Sequence, residues 1–161
     1  MVSYLQMRKE RITTSEAQTM ALGRNLGEVL KGGEIILFKS DLGGGKTTLI
    51  KGIAIGLGID EPVSSPTFAI EHEYKSGRLE LRHYDLYRLT EAGVLLNEIN
   101  EVLSDESVKV IEWPELMSTS LSSYSPIVIS IRRMRDGESY REIHIEYTSE
   151  HVYIEKGFQD L

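Results

Sequence analysis

One segment of the chain combines glycines, a lysine and hydroxyl side chains at a spacing suited to phosphate binding. Its residues are Asp41, Leu42, Gly43, Gly44, Gly45, Lys46, Thr47 and Thr48. The glycines let the backbone bend so that successive N–H groups converge, and a helix that begins here adds its own unpaired N–H groups. In this motif the lysine reaches the β- and γ-phosphates of a nucleotide, and the following hydroxyl holds Mg²⁺. We therefore predict that the segment binds a nucleotide, with Lys46 on the phosphates and Thr47 as a metal ligand.

The residues on either side of this segment support the prediction. An apolar run from Ile35 to Phe38 predicts a buried strand before the loop, and apolar residues at helical spacing from Leu49 to Leu57 predict a helix after it. The usual pattern is G-x-x-x-x-G-K-[ST], and Ser40 stands where the first glycine is expected. The alternative is a glycine turn that binds no ligand. Three glycines followed by Lys-Thr-Thr favour phosphate binding, since a simple turn does not need them.

Two carboxylates stand at the ends of predicted strands. Asp85 ends an alternating stretch that includes His83, and Glu112 ends the apolar run that begins at Val108. Because the carboxyl ends of parallel strands face the ligand in such folds, we predict that both are catalytic residues. Glu112 is the predicted Mg²⁺ ligand, and Asp85 is predicted to bind the metal or to orient the attacking water. The alternative is that both are ordinary strand-end charges, and His83 is expected on a polar or half-buried strand face.

Residues 61–68 contain two prolines and two serines, which indicates an ordered loop without regular secondary structure. In nucleotide enzymes a loop at this place in the sequence can present a hydroxyl to the γ-phosphate and its metal, and so act as a switch. Thr67 is the predicted catalytic residue of this loop. The alternative is a connection that the prolines stiffen and that has no contact with the ligand.

Three more residues are predicted to contact the nucleotide. Ser15 and Glu16 stand at the predicted start of the first helix, from which they could reach the base. The same helix start offers two capping arrangements, Thr13 with Glu16 or Ser15 with Gln18. Trp113 is the only tryptophan and directly follows Glu112, so that its indole could lie beside the nucleotide or under the Thr67 loop.

The predicted elements that position these residues alternate between strands and helices. Residues 1–12 are predicted to form an edge strand or arm, residues 70–83 and 127–147 two hairpins, and residues 90–103 an amphipathic helix. We predict a single α/β P-loop domain over residues 1–161, with three layers, a mainly parallel central sheet and antiparallel edge hairpins. The acidic, partly apolar tail from residue 148 to 161 is a predicted partner-binding segment.

Composition limits the class of protein. A chain of 161 residues is long enough for one domain with a substantial core. The absence of cysteine excludes disulfides and thiolate zinc sites, and no apolar run is long enough to span a membrane. We therefore expect a cytoplasmic protein without a membrane partner. The net charge of −7 argues against direct nucleic-acid binding, and the one dense basic cluster could serve ATP or a partner; it consists of Arg132, Arg133, Arg135 and Arg141.

Four motifs together resemble one protein family. They are Asp41-Leu42-Gly43-Gly44-Gly45-Lys46-Thr47-Thr48, Ser65-Pro66-Thr67-Phe68, His83-Tyr84-Asp85-Leu86-Tyr87-Arg88 and Glu112-Trp113-Pro114. In order and spacing they are similar to the TsaE (YjeE) family of bacterial ATPases of tRNA threonylcarbamoyladenosine biosynthesis. Ser40 replaces a glycine and Gly44 replaces an alanine that are usual in the family. The resemblance implies a slow Mg²⁺-dependent ATPase that acts on the TsaB–TsaD complex, which modifies adenosine 37 of tRNA, and that contacts tRNA only indirectly.

Three other classes remain as alternatives from the residues alone. A small-molecule P-loop kinase commonly closes a lid with arginines over the phosphates, and residues 115–126 contain no lysine or arginine. A GTPase needs an N-K-x-D segment to recognise guanine, which the chain lacks, and Asp85-Leu86-Tyr87-Arg88 lacks the glycine of a D-x-x-G switch. A nucleotide sensor that binds without hydrolysis has the same ligand-binding residues as an ATPase.

Overall fold

The computed structural model describes residues 5–40, 45–64, 71–86, 93–112, 121–135 and 137–159. Within these ranges it contains seven strands, three α-helices and two 3₁₀ helices. The strands are β1 (Gln6–Thr13), β2 (Ile35–Ser40), β3 (Glu71–Tyr74), β4 (Leu81–Asp85), β5 (Val108–Glu112), β6 (Ile127–Arg133) and β7 (Arg141–Thr148). The α-helices are α1 (Glu16–Val29), α2 (Lys46–Gly56) and α3 (Gly93–Val102), and the 3₁₀ helices are Ser122–Tyr124 and Ser149–Phe158.

All seven strands belong to one sheet, in the order β1-β7-β6-β2-β5-β4-β3. The four central strands, β6, β2, β5 and β4, are parallel to one another. The outer pairs β1–β7, β7–β6 and β3–β4 are antiparallel. This arrangement confirms the predicted α/β class with a parallel centre and antiparallel edges, and the two predicted hairpins are β3–β4 and β6–β7. Within the described ranges, no helix is long and apolar enough to cross a membrane.

Side chains from the central strands pack on both faces of the sheet. Ile36 and Phe38 of β2 lie in a cluster with buried residues of α1 and α2, while Ile35 and Leu37 lie in a second cluster with Ile99 of α3. Successive side chains of a strand point to opposite faces, so this division places α1 and α2 on one face and α3 on the other. The predicted three-layer arrangement is therefore observed. It also explains why the β2 run is apolar without alternation.

The two helices on the first face approach each other closely through glycines. A Cβ atom on Gly23 of α1 would lie 2.4 Å from the carbonyl oxygen of Leu49, and one on Gly52 of α2 would lie 2.3 Å from that of Met20. No side chain fits at these distances, so glycine is required at both positions for packing. Because α2 begins at the predicted phosphate loop, this contact helps to fix the position of that end of the helix.

The C-terminal 3₁₀ helix, Ser149–Phe158, packs against α1. Ile154 and Phe158 are buried in the main core, whereas Val152 is 47% exposed. The guanidinium of Arg11 donates to the carbonyl oxygen of Phe158 (Nε–O 2.7 Å) and so ties the segment to β1. Most of the apolar character that suggested a partner-binding tail is therefore used in packing, and partner binding by this segment stays a prediction.

Candidate functional site

The start of α2 is built to accept a negative charge. Gly45 precedes the helix in the left-handed region (φ 100°, ψ 11°), which is accessible at little cost to glycine. No side chain in the described part of the chain caps this helix, so the N–H groups of its first turn remain directed out of the helix end. The aligned peptide dipoles add partial positive charge at the same place. An anionic group such as a phosphate is therefore favoured here.

A buried ion pair lies beside this helix end. Lys46, the first residue of α2, is only 7% exposed, and Glu112 at the end of β5 is 4% exposed. Lys46 Nζ lies 3.7 Å from Glu112 Oε1. The pair forms because β5 is next to β2 in the sheet, with Glu112 opposite Phe38 just before the loop that leads to Lys46. The predicted phosphate-binding lysine and the predicted metal-binding carboxylate are thus in contact.

The neighbouring strand β4 brings two more polar residues to the same place. Its register sets Asp85 directly opposite Glu112. His83, two residues earlier, is 2% exposed and contacts Glu112 (Nε2–Oε2 2.8 Å). The expectation that His83 lies on a polar or half-buried face was wrong, because β4 is covered on the face where Glu112 lies. The spacing of two between His83 and Asp85 indicates that both side chains lie on one face of β4, but the contact with Glu112 also requires that β4 pairs with β5.

A cavity of about 340 Å³ opens at the start of α2. Thr47 is exposed at this cavity, and Thr48 donates its hydroxyl to Glu16 (Oγ1–Oε1 3.4 Å). The structure therefore brings Glu16 to the same site as the phosphate-loop residues. The residues that line the cavity are Glu16, Thr19, Gly45, Lys46, Thr47, Thr48, Ser139 and Arg141.

Ser15 does not line this cavity. Its hydroxyl oxygen accepts the backbone N–H of Gln18 at 3.1 Å, so Ser15 is the N-cap of α1. Of the two predicted capping arrangements, this is therefore the one that provides the cap. Thr13 instead bonds to the hydroxyl of Thr19 (Oγ1–Oγ1 2.7 Å). A contact between Ser15 and a nucleotide base stays a prediction.

Arg141 is the member of the basic cluster that reaches the site. If Gly45 had a Cβ atom, that atom would lie 3.1 Å from Nε of Arg141, so the Arg141 side chain runs across the start of α2. Burial, and then the positive charge of Arg133, lower the pKa of Arg141, while Glu16 opposes that shift. Arg132 by contrast pairs with the carboxylate of Glu142. Which of these arginines reaches the site depends on where β7 begins, and no local sequence pattern indicates that position.

Several predicted site residues lie outside the described residues. They are Asp41, Leu42, Gly43, Gly44, Thr67 and Trp113. Their predicted roles in phosphate binding, switching and nucleotide contact stay predictions.

The donor set that is described fits Mg²⁺ and a nucleotide phosphate. Thr47 offers a hydroxyl and Glu112 a carboxylate, and hard oxygen donors of this kind suit Mg²⁺, which takes few protein ligands alongside water and phosphate. Lys46 and Arg141 add positive charge on the side of the helix start. The carboxylate of Glu112 would therefore balance the charge of Mg²⁺, and Lys46 and Arg141 would balance that of the phosphates.

Comparison with known proteins relates this site to a family. The family model "Threonylcarbamoyl adenosine biosynthesis protein TsaE" matches residues 13–143. The tRNA threonylcarbamoyladenosine biosynthesis protein TsaE of a Nostoc species is 42% identical over 118 residues, which cover 70% of this chain and 72% of that protein. The TsaE protein of Bacillus subtilis is 37% identical over 131 residues, or 81% of this chain and 80% of that protein.

A solved structure agrees with the sequence relatives. The crystal structure of Bacillus subtilis YdiB superposes with a TM-score of 0.79 at 29% identity, and the match covers 98% of both chains. The two chains therefore share one fold along nearly their whole length. The matched family model spans every described residue that forms the site, from Glu16 to Arg141. The chain belongs to the TsaE family of tRNA threonylcarbamoyladenosine biosynthesis proteins.

Proposed function

We propose that this chain is a Mg²⁺-dependent ATPase that supports threonylcarbamoylation of adenosine 37 in tRNA by acting on the TsaB–TsaD complex. The observation that carries the proposal is the buried Lys46–Glu112 pair at an uncapped helix start. Charges are costly to bury, and Lys46 of this pair lines a polar cavity, so the pair is more easily explained by a charged ligand than by packing.

Each group at the site has a role in binding. Lys46 and the N–H groups at the start of α2 bind the β- and γ-phosphates, while Thr47 and Glu112 hold Mg²⁺. Bound Mg²⁺ would neutralise charge that develops on the phosphate oxygens. Arg141, which crosses the helix start, contributes a further cation toward the phosphates.

Hydrolysis requires a water molecule in line with the γ-phosphate. Asp85 lies opposite Glu112 on the adjacent strand and is about half-buried, which supports the proposal that it orients that water or accepts its proton. Water attacks the γ-phosphorus, the bond to the bridging oxygen of ADP breaks, and inorganic phosphate leaves. Thr67 is proposed to sense the γ-phosphate and to transmit its loss to the partner.

The partner proposal follows from charge as well as from the family. A net charge of −7 offers little attraction for an RNA backbone, so contact with tRNA is proposed to be indirect. ATP binding is proposed to favour association with TsaB–TsaD and hydrolysis to weaken it. Such coupling between a nucleotide and a partner is typically about 1–3 kcal/mol, or about 5- to 150-fold in affinity.

The test is phosphate release from Mg²⁺-ATP by the purified chain, alone and with TsaB–TsaD. We expect slow turnover alone and faster turnover with the pair. Asp85→Asn should bind ATP almost as well as the wild type but lose turnover. Lys51→Ala, which removes an exposed lysine from α2, is the control variant and should retain ATP turnover. Nucleotide binding with no phosphate release under either condition would contradict the ATPase and would favour a sensor.

A further inference from the structure

We infer that His83 is a positioning residue whose task is to hold the Glu112 carboxylate in the orientation that serves the metal and phosphate site. This inference rests on the proposed Mg²⁺-nucleotide function. His83 itself is not placed among the groups that contact the ligand. It acts through Glu112, so its loss should change metal dependence more than nucleotide binding.

The geometry fixes both oxygens of one carboxylate. Nε2 of His83 lies 2.8 Å from Glu112 Oε2, and Nζ of Lys46 lies 3.7 Å from Glu112 Oε1. Because the acceptor is a carboxylate, Nε2 must carry the hydrogen and donate it. One oxygen is therefore held by β4 and the other is directed toward the start of α2. Turning the carboxylate plane of Glu112 out of this orientation would weaken both contacts.

The burial of His83 argues against a role in packing alone. The residue is 2% exposed, and its Nδ1 is buried with no hydrogen-bond partner in the described part of the chain. An unsatisfied buried nitrogen costs stability, so an apolar side chain of similar volume would fill the space at lower cost. Leu81, two residues earlier on the same face of β4, is such a side chain. The bond to Glu112 is the contact that an apolar residue could not supply.

The expected size of the effect follows from metal sites in general. Groups that hydrogen-bond to metal ligands orient them, and their removal typically lowers metal affinity about 10- to 100-fold. His83 makes a contact of this kind to Glu112 from β4. The effect should depend on a donor at the Nε2 position rather than on the ring as such.

The test compares His83→Leu with His83→Gln in calorimetric binding. Leucine fills the volume without a donor, whereas the glutamine amide can place an N–H near the position of Nε2. ADP is titrated in EDTA to measure binding without metal, and Mg²⁺ is titrated into the ADP-bound protein. The matched control is His72→Leu, which removes the histidine directly opposite His83 on β3. Thermal unfolding verifies that each variant is folded.

We expect His83→Leu to need about 10- to 100-fold more Mg²⁺ than the wild type, while its affinity for ADP in EDTA changes by no more than about twofold. His83→Gln should recover most of the Mg²⁺ affinity, and His72→Leu should match the wild type. Normal Mg²⁺ dependence in His83→Leu, or equal loss in the leucine and glutamine variants, would overturn the positioning role alone. Wild-type protein that binds no Mg²⁺-nucleotide would overturn the proposed function and this inference with it.

Discussion

Replacement of Glu112 by glutamine tests whether the buried pair at the start of α2 is a charge pair. Two unit charges 3.7 Å apart attract by about 4.5 kcal/mol at an effective dielectric constant of about 20. Much of this attraction is offset, because both groups lost water when they were buried. Glutamine keeps the size and one oxygen of glutamate but leaves Lys46 beside a neutral group. We therefore expect Glu112→Gln to lower the free energy of unfolding by about 1–3 kcal/mol.

Thermal unfolding followed by circular dichroism measures this change. For a chain of 161 residues, each kcal/mol shifts Tm by about 2–4 °C, so the expected decrease is about 2–12 °C. A second measurement adds Mg²⁺-ADP at about 100 times its dissociation constant, which stabilises the wild-type protein by about 2.7 kcal/mol. Because Glu112 is a proposed metal ligand, the same ligand concentration should stabilise Glu112→Gln much less.

Glu28→Gln is the matched control for this experiment. Glu28 forms a shorter ion pair with Arg24 (3.1 Å), but both side chains are more than half exposed. Exposed pairs of this kind contribute about 0–1 kcal/mol, since water screens them. If Glu112→Gln lowers Tm no more than Glu28→Gln and Mg²⁺-ADP stabilises both variants equally, the Lys46–Glu112 pair is neither a stabilising charge pair nor part of a metal site.

Three further predictions concern packing, pH and nucleotide sensing. Gly52→Ala should lower the free energy of unfolding in urea by about 1–3 kcal/mol, because the added methyl group would lie 2.3 Å from the carbonyl oxygen of Met20. Unchanged stability would show that α1 and α2 are less closely packed than this distance requires. Burial alone would raise the pKa of Asp105, but hydrogen bonds led by that from Ser107 lower it below the usual 3.8. The stability that this carboxylate contributes is therefore present above about pH 4 and is lost as the pH falls through the lower pKa of the folded state. The free energies of unfolding of the wild type and Asp105→Asn should converge in acid, and parallel curves of stability against pH would contradict this. Finally, ADP and a non-hydrolysable ATP analogue should change Trp113 fluorescence to different extents, and a spectrum indifferent to both would place the indole away from the nucleotide.

Local sequence patterns were sufficient for most of the fold. The apolar run of β2, the helical spacing in α2 and the alternation in the two hairpins each reflect burial on one or two faces of a single element. The close approach of α1 and α2 was not predicted, although Gly23 and Gly52 were visible in the sequence. A glycine inside a helix indicates a close contact only when its partner helix is known.

The site was predictable to the extent that its residues sit at the ends of recognisable elements. Lys46 and Thr47 follow the glycines directly, and Glu112 follows an apolar strand. The contacts made by His83 and Arg141 depend on strand order and register instead. His83 meets Glu112 because β4 pairs with β5, and Arg141, the first residue of β7, reaches Gly45 because that strand begins beside the start of α2.

Calorimetric titration of Mg²⁺-ATP into the wild-type chain, Lys46→Ala and Lys51→Ala tests most directly whether the start of α2 binds the phosphates. Charge-assisted contacts of the Lys46 type contribute about 1.5–3 kcal/mol, so Lys46→Ala should bind at least about tenfold more weakly than the wild type. Lys51→Ala, with an exposed lysine removed from the same helix, should bind as the wild type does. Equal ATP affinity in all three folded proteins would contradict a phosphate site at the start of α2.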